Sequence, residues 1–176
     1  MTDPAATEET IVTDRLILRA HRPDDIEAYG PLWAPPAEGR SFTPVLDDEG
    51  AWARLLRLVG HRTVLGFAPF VVAERATGAI VGEAGFAHFR RGLGDDFDGV
   101  PEAMWIVRPD RRGDGYGREA MAAAVGWFDR RFPGRRSVCM IEPSNAVSLR
   151  LAAGLGFSAY RQATRHGGEV SLHQRT

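Results

Sequence analysis

A chain of 176 residues, 44% apolar and 26% charged, is long enough for one hydrophobic core and short for two. A formal net charge of −1 excludes a general polyanion binder, so any nucleic-acid role would need a local basic patch. All 22 basic residues are arginine, which excludes lysine Schiff-base chemistry and self-acetylation on a side chain.

Residues 1–10 are acidic and polar, unlike a secretory signal, and read as a disordered lead to a single domain over 11–176. Arg15-Leu16-Ile17-Leu18-Arg19 reads as a strand. Pro23 at a first helical position, followed by Asp24 and Asp25, opens a short helix carrying Ile26 and Tyr29, which Gly30-Pro31 closes. Residues 31–46 are rich in Pro and Gly and read as a loop. Asp47, Asp48 and Glu49 start a second helix with Trp52, Leu55, Leu56 and Val59 on its apolar face. Strands follow at 70–74 and 79–86, joined by the hairpin Ala76-Thr77-Gly78. The polar stretch 90–101 is a long connection.

The run Met104-Trp105-Ile106-Val107 predicts a buried strand over 103–107, stopped by Pro109. Met121, Ala124, Val125, Phe128 and Phe132 recur at helical spacing, which predicts a helix over 117–132 that Pro133-Gly134 ends. A second apolar strand follows at 137–141, and this strand–helix–strand unit implies locally parallel pairing. Asn145 caps a further helix with Val147, Leu151 and Leu155, ended by Gly156. Residues 158–165 and 169–174 form two strands around Gly167-Gly168. Cys139 is alone in an apolar run, so it reads as a buried small hydrophobe and no disulfide framework is expected. No metal site is expected, no apolar run approaches the ~20 residues of a membrane span, and a reducing cytoplasm is the expected compartment.

The stretch from Arg111 to Ala120 is a glycine-rich turn between a strand and a helix. A helix N-terminus carries unpaired N–H groups and a partial positive charge, and glycines let backbone approach a ligand closely. The turn therefore reads as a phosphate cradle. A dinucleotide fingerprint requires G-x-G-x-x-G, and here Arg118 occupies the third glycine's place. A P-loop requires a lysine. The pattern that fits is R-x-x-G-x-G, from Arg112, Gly115 and Gly117. With its flanking strand and helix it resembles the acetyl-CoA pyrophosphate loop of the GNAT (GCN5-related N-acetyltransferase) superfamily.

The resemblance covers essentially the whole chain after residue 10. It implies an α/β fold: a mostly antiparallel mixed sheet with a parallel strand–helix–strand cofactor unit. Arg15 to Arg19 followed by Pro23-Asp24-Asp25, and later Asn145-x-x-Ser148, look most like the subgroup of ribosomal-protein N-terminal acetyltransferases. Carried over by position, the acetyl-CoA site is Ile106 and Val107, whose strand pairs with the pantetheine arm. Arg112, Gly113, Asp114, Gly115, Tyr116, Gly117 and Arg118 follow around the pyrophosphate, with Asn145 at the arm. Arg111 adds attraction for the phosphates. The acceptor implied is an amine, either a protein N-terminus or a small molecule, in a pocket built from 31–46 and the strands near Phe86 and His88. No nucleic acid or membrane is implied as a direct partner, and a homodimer is the family expectation.

Acyl transfer needs a neutral amine. An α-amine with pKa of about 7.7–8.0 is roughly a tenth neutral at pH 7, whereas a lysine amine at about 10.4 is not, so an N-terminal acceptor needs only a modest base. The resemblance points to Glu102 as that base, with Glu83 and His88 as competitors. Many relatives protonate the thiolate with a tyrosine seven residues after the asparagine; here that position is Ala152. The subgroup's alternative is the hydroxyl of Ser148, as a hydrogen bond to sulfur. Two rivals remain at this point: a non-catalytic acyl-CoA-binding regulatory module, and a dinucleotide oxidoreductase in which Glu142 takes the ribose.

Overall fold

The computed structural model describes residues 9–33 and 46–176. Residues 1–8 of the expected lead and 34–45 of the expected loop lie outside that set. Strand β1 (Ile11–Val12) turns back into β2 (Leu16–Arg19), followed by a 3-10 helix (Pro23–Ala28) and α1 (Tyr29–Leu32). Then come α2 (Asp48–Leu65), β3 (Phe70–Glu74), β4 (Ile80–Ala87), the short α3 (Asp95–Asp98) and β5 (Glu102–Val107). The chain ends with α4 (Tyr116–Arg131), β6 (Ser137–Ile141), α5 (Ala146–Gly154), β7 (Ser158–Arg165) and β8 (Gly168–Arg175).

The strands form one eight-stranded sheet in the order β1-β2-β3-β4-β5-β6-β8-β7. Every neighbouring pair is antiparallel except β5 and β6, which are parallel. This is the mixed α/β sheet expected from the sequence. Strand alternation sends the side chains of β5 to opposite faces. Ala103 and Trp105 join the large core built on α4, where Met121, Ala124 and Phe128 are wholly buried. Met104 and Ile106 face the smaller core of Tyr29, Leu32, Trp33, Ala51 and Leu55.

Several expectations are corrected. The first helical segment runs on past Gly30-Pro31 to Leu32, because a proline in a first helical turn forfeits no intrahelical bond. Residues 90–101 are not wholly irregular: α3 lies among them, and its Phe97 packs with Val138, Val170 and Leu172. On α2 the buried stripe is Ala51, Arg54, Leu55 and Leu58, while Trp52, Leu56 and Val59 are 42%, 50% and 40% exposed. On α5, Val147 is 70% exposed.

The α2 stripe is displaced because an arginine belongs to it. Glu83, 1% exposed in mid-β4, accepts hydrogen bonds from Tyr29 Oη at 2.6 Å, Arg54 Nη2 at 2.7 Å and His21 Nε2 at 2.8 Å. Arg54 also lies 3.9 Å from the Trp33 ring centroid, a cation–π contact. Burial by itself would raise the Glu83 pKa, but the Arg54 guanidinium and the His21 and Tyr29 hydrogen bonds hold it down, to about 2. A carboxyl whose folded pKa is depressed contributes stability above its unfolded value, lost as pH falls towards the folded one. Glu83→Gln should therefore unfold at lower urea near neutral pH, by ~3 kcal/mol, because it strands a buried arginine. The deficit against wild type should shrink between pH 4.5 and about 2. A deficit that stays constant over that window would show that Glu83 is not the charged partner.

Candidate active site

The glycine-rich turn is built by two residues that need positive φ. Gly113 has φ +93° and Gly115 φ +81°, values that side-chain-bearing residues rarely adopt. Gly115 is also the N-cap of α4 and has no side chain with which to cap it. The first closed turn is Glu119 N–H to the Gly115 carbonyl at 3.1 Å, so the N–H groups of Tyr116, Gly117 and Arg118 face outward from a 16-residue helix. Arg118 is exposed in this first turn with no ion-pair partner among the described residues. A cation there works against the helix dipole, which an arriving anion would reverse into an attraction.

Side chains from distant elements pin the turn. Arg15 donates through Nη1 to the Asp114 carbonyl at 2.8 Å and through Nε to Glu119 Oε2 at 2.7 Å. The other Glu119 oxygen accepts from Thr13 Oγ1 at 2.6 Å and from the Arg15 N–H at 3.0 Å. Tyr116 donates its hydroxyl to Glu74 Oε1 at 2.8 Å, so its side chain anchors the helix to β3 rather than reaching outward. Arg112 Nε donates to the Val107 carbonyl at 3.2 Å, and Arg111 Nη1 lies 3.7 Å from Glu74 Oε1. Of the arginines in this stretch, Arg112 and Arg118 are exposed with no carboxylate partner among the described residues.

Beside the turn, the sheet opens. The β5–β6 register contains a single pair, Glu102 with Val138, after which the strands part. From Ala103 to Val107 the β6-facing edge of β5 has no strand partner. At Gly117, α4 packs near the C-terminal end of β5: a Cβ there would meet Val107 Cγ2 at 3.4 Å and Leu151 Cδ2 of α5 at 3.8 Å, ordinary contact distances. Across the gap, the Trp105 indole N–H donates to Ser148 Oγ at 3.1 Å. Asn145 Oδ1 accepts from the Ser148 N–H at 3.0 Å and so caps α5.

An open backbone edge running into an uncapped, glycine-wrapped helix start is what a long ligand with a phosphate head requires. The acetyltransferase (GNAT) domain profile matches residues 15–158. The chain belongs to the GNAT acetyltransferase family. A GNAT-family acetyltransferase from Bordetella pertussis superposes with TM-score 0.88 at 32% identity, over 96% of this chain and 99% of that one. An acetyltransferase from Salmonella typhimurium, solved with its cofactor acetyl-CoA, has TM-score 0.67 and 25% identity over 91% and 92% of the two chains. The L-methionine sulfoximine/L-methionine sulfone acetyltransferase of Salmonella typhimurium is 31% identical over 124 residues. That match takes in 69% of this chain but only 64% of that relative's length.

Within the GNAT frame, the three candidate bases differ sharply. Glu83 is saturated by three donors and held acidic, which removes it as a base. Glu102 lies on the same face of β5 as Met104 and Ile106, at the closed end of the gap. It is 4% exposed, and burial raises its pKa despite three hydrogen bonds from Arg91, Nε at 2.9 and 3.2 Å and Nη2 at 2.8 Å. His88 follows β4 and packs its ring 5.5 Å from that of Phe67, and burial and then Arg135 hold its pKa below the ordinary imidazole value. Ala152, 0% exposed, is sealed in the core, so a hydroxyl-bearing side chain at that position has no room to reach the gap without repacking. Cys139 is buried and its thiol pKa is pushed up by burial, which makes it a core residue and not a nucleophile.

Sequence reasoning missed Thr13, Arg15, Glu74, Arg91, Trp105 and Glu119. Except for Arg91, which bonds Glu102 11 positions away, they act across long sequence separations, and a local hint was the placement of Trp105 in a largely aliphatic strand. Arg15→Gln removes the link between the β1–β2 turn and the cradle. Amide exchange at residues 113–116 should rise severalfold while the urea midpoint moves little, since the Arg15–Glu119 pair is partly exposed. Unchanged exchange at those amides would mean that the glycines hold the turn unaided.

Proposed function

We propose that this GNAT protein moves an acetyl group from acetyl-CoA directly to a primary amine, on a protein N-terminus or a small molecule. The observation that carries the reading is the parted β5 edge leading to the uncapped start of α4. Acetyl-CoA supplies an activated thioester. The residues that would hold it are the backbone of Ile106 and Val107 along the open edge and of residues 112–118 at the pyrophosphate. Arg118 adds its charge, and Asn145 shapes the start of α5.

Glu102 is the proposed base. Its raised pKa suits proton uptake from an amine, and its position at the vertex of the gap brings it to where the strands meet. Ser148 is the proposed donor to the departing sulfur. An indole N–H only donates, so Ser148 Oγ must accept from Trp105, and its own hydrogen has no acceptor among the described residues. Trp105 thus turns the hydroxyl hydrogen away from itself and towards the gap.

The relatedness to ribosomal-protein acetyltransferases, a homodimer and a cytoplasmic setting belong to the same proposal. The subgroup rests on the opening strand motif and Asn145-x-x-Ser148, the compartment on the buried free thiol of Cys139, and the homodimer on family resemblance alone. No helix among the described residues is long and apolar enough to cross a membrane.

Mass spectrometry after incubation with acetyl-CoA and a library of peptides, polyamines and aminoglycosides tests the activity; products heavier by one acetyl group are expected. Gly115→Val forces a β-branched residue to positive φ at the cradle. We expect the acetyl-CoA dissociation constant to rise at least tenfold, or ~1.4 kcal/mol, by calorimetry on protein whose circular dichroism is native. Equal affinity would remove the cradle from the site. Ser148→Ala and Trp105→Phe should each lower kcat by roughly three- to tenfold, the worth of about one hydrogen bond, with a smaller change in KM for acetyl-CoA. A change confined to KM would reassign both residues to cofactor holding.

A further inference from the structure

A second opening lies at the Glu102 end of the sheet. It is a cleft of about 530 Å³ between the C-terminal half of α2 and the segment 88–99. Arg57, His61 and Val64 line one side, and His88, Arg90 and Asp98 the other. The volume suits a small molecule or one end of a larger one.

Its charge is net positive, two arginines against one aspartate. Neither Arg57 nor Arg90 has a carboxylate partner among the described residues. Asp98 is the acid in the lining, and its two oxygens already accept the N–H groups of Gly92 at 3.1 Å and Leu93 at 3.0 Å. His61 and His88 are both held below the ordinary imidazole value, chiefly by burial, so near neutral pH they serve as polar groups and not as charges. The buried Nδ1 of His61 has no hydrogen-bond partner.

Arg57 joins this cleft to the transfer site. Its guanidinium lies 5.6 Å from the Phe89 ring centroid, and the same ring takes Arg91 at 4.3 Å. Arg91 in turn holds Glu102, at the vertex of the β5–β6 gap. Arg54 is also near enough to repel Arg57, while the nearby Glu83 already has three donors. The neighbourhood therefore carries a positive charge that its own carboxylates leave unmatched. An incoming anion would receive charge-assisted hydrogen bonds from a guanidinium and relieve the crowding of like charges.

We infer that this cleft receives an anionic group of the acceptor, a carboxylate above all, with Arg57 as its main partner. The acceptors are then amines that also carry a carboxylate, and polycationic amines are disfavoured by the same charges. The inference rests on the acetyl-transfer reading above.

The test compares α-amino acids with their carboxamides, phosphoethanolamine with ethanolamine, and spermidine, all with saturating acetyl-CoA. Values of kcat/KM are compared per neutral amine, because a carboxamide's amine is the weaker base. The acids should exceed their carboxamides at least tenfold, and Arg57→Gln should cut that ratio at least fivefold. A larger preference within the phosphate pair would overturn the carboxylate assignment. Equal rates for acid and carboxamide, a preference for spermidine, or an equal loss on both acid and carboxamide in Arg57→Gln would overturn the cleft as an anion site. Calorimetry with N-acetyl amino acids and their carboxamides, in the presence of CoA, reads the cleft without turnover. Tenfold tighter binding of the acid, lost in Arg57→Gln, supports the inference even if no amine is acetylated, in which case the transfer reading alone falls. Acetylation with no discrimination in either assay leaves the transfer reading and removes this one.

Discussion

The parting of β5 from β6 is the constraint on which the rest of the structure depends. Backbone N–H and C=O groups inside a protein need partners, and a bare strand edge is normally covered or paired. Here each strand is secured on its outer side: β5 registers along its whole length with β4, and β6 with β8. Sheet twist can therefore open the sheet between them with little loss elsewhere. The strands pair at Glu102 and Val138, and no pairing follows towards the C-terminal end of β5. In the proposed reading, the anionic head of the ligand lies at the start of α4 and its reactive end at the vertex of this wedge.

The mouth of the wedge is rigid because residues far apart in sequence hold it. Arg15 grips both the Asp114 carbonyl and Glu119, and Glu74 grips Tyr116. These contacts order the turn before any ligand arrives, which lowers the conformational entropy that binding must remove. They also pair Glu74 and Glu119, which leaves the backbone N–H groups and the unpaired charges of Arg112 and Arg118 to attract an anion.

On the opposite face of β5 the chain buries charge instead of exposing backbone. Glu83 draws Arg54, Tyr29 and His21 into the smaller core, tying α1 and α2 to the sheet. Burial of a charge is tolerated where it is well matched, and Glu83 is matched threefold, although Arg54 Nε itself is buried without a hydrogen-bond partner. Glu102, likewise buried but hydrogen-bonded by Arg91 alone, keeps a raised pKa. Two glutamates on one face of adjacent strands thus take different roles, one structural and one proposed as reactive, because their neighbours differ.

By itself the sequence determined the order of the elements, the parallel strand–helix–strand unit and the glycine turn, since these follow from local periodicity and from the residues that start and stop helices. It also located Asn145 and Ser148 at the start of α5. It misjudged the inward face of α2, where hydrophobicity alone counted Trp52, Leu56 and Val59, because Arg54 turns inward only once Glu83 is there to meet it. Only the tertiary structure showed Glu83 bound by three donors, brought Trp105 to Ser148 across 43 positions, and tied Arg15 to Glu119 across 104. The reason is physical: periodicity is a property of neighbouring residues, whereas pKa, hydrogen-bond direction and the width of a gap between strands are set by groups that only folding brings together.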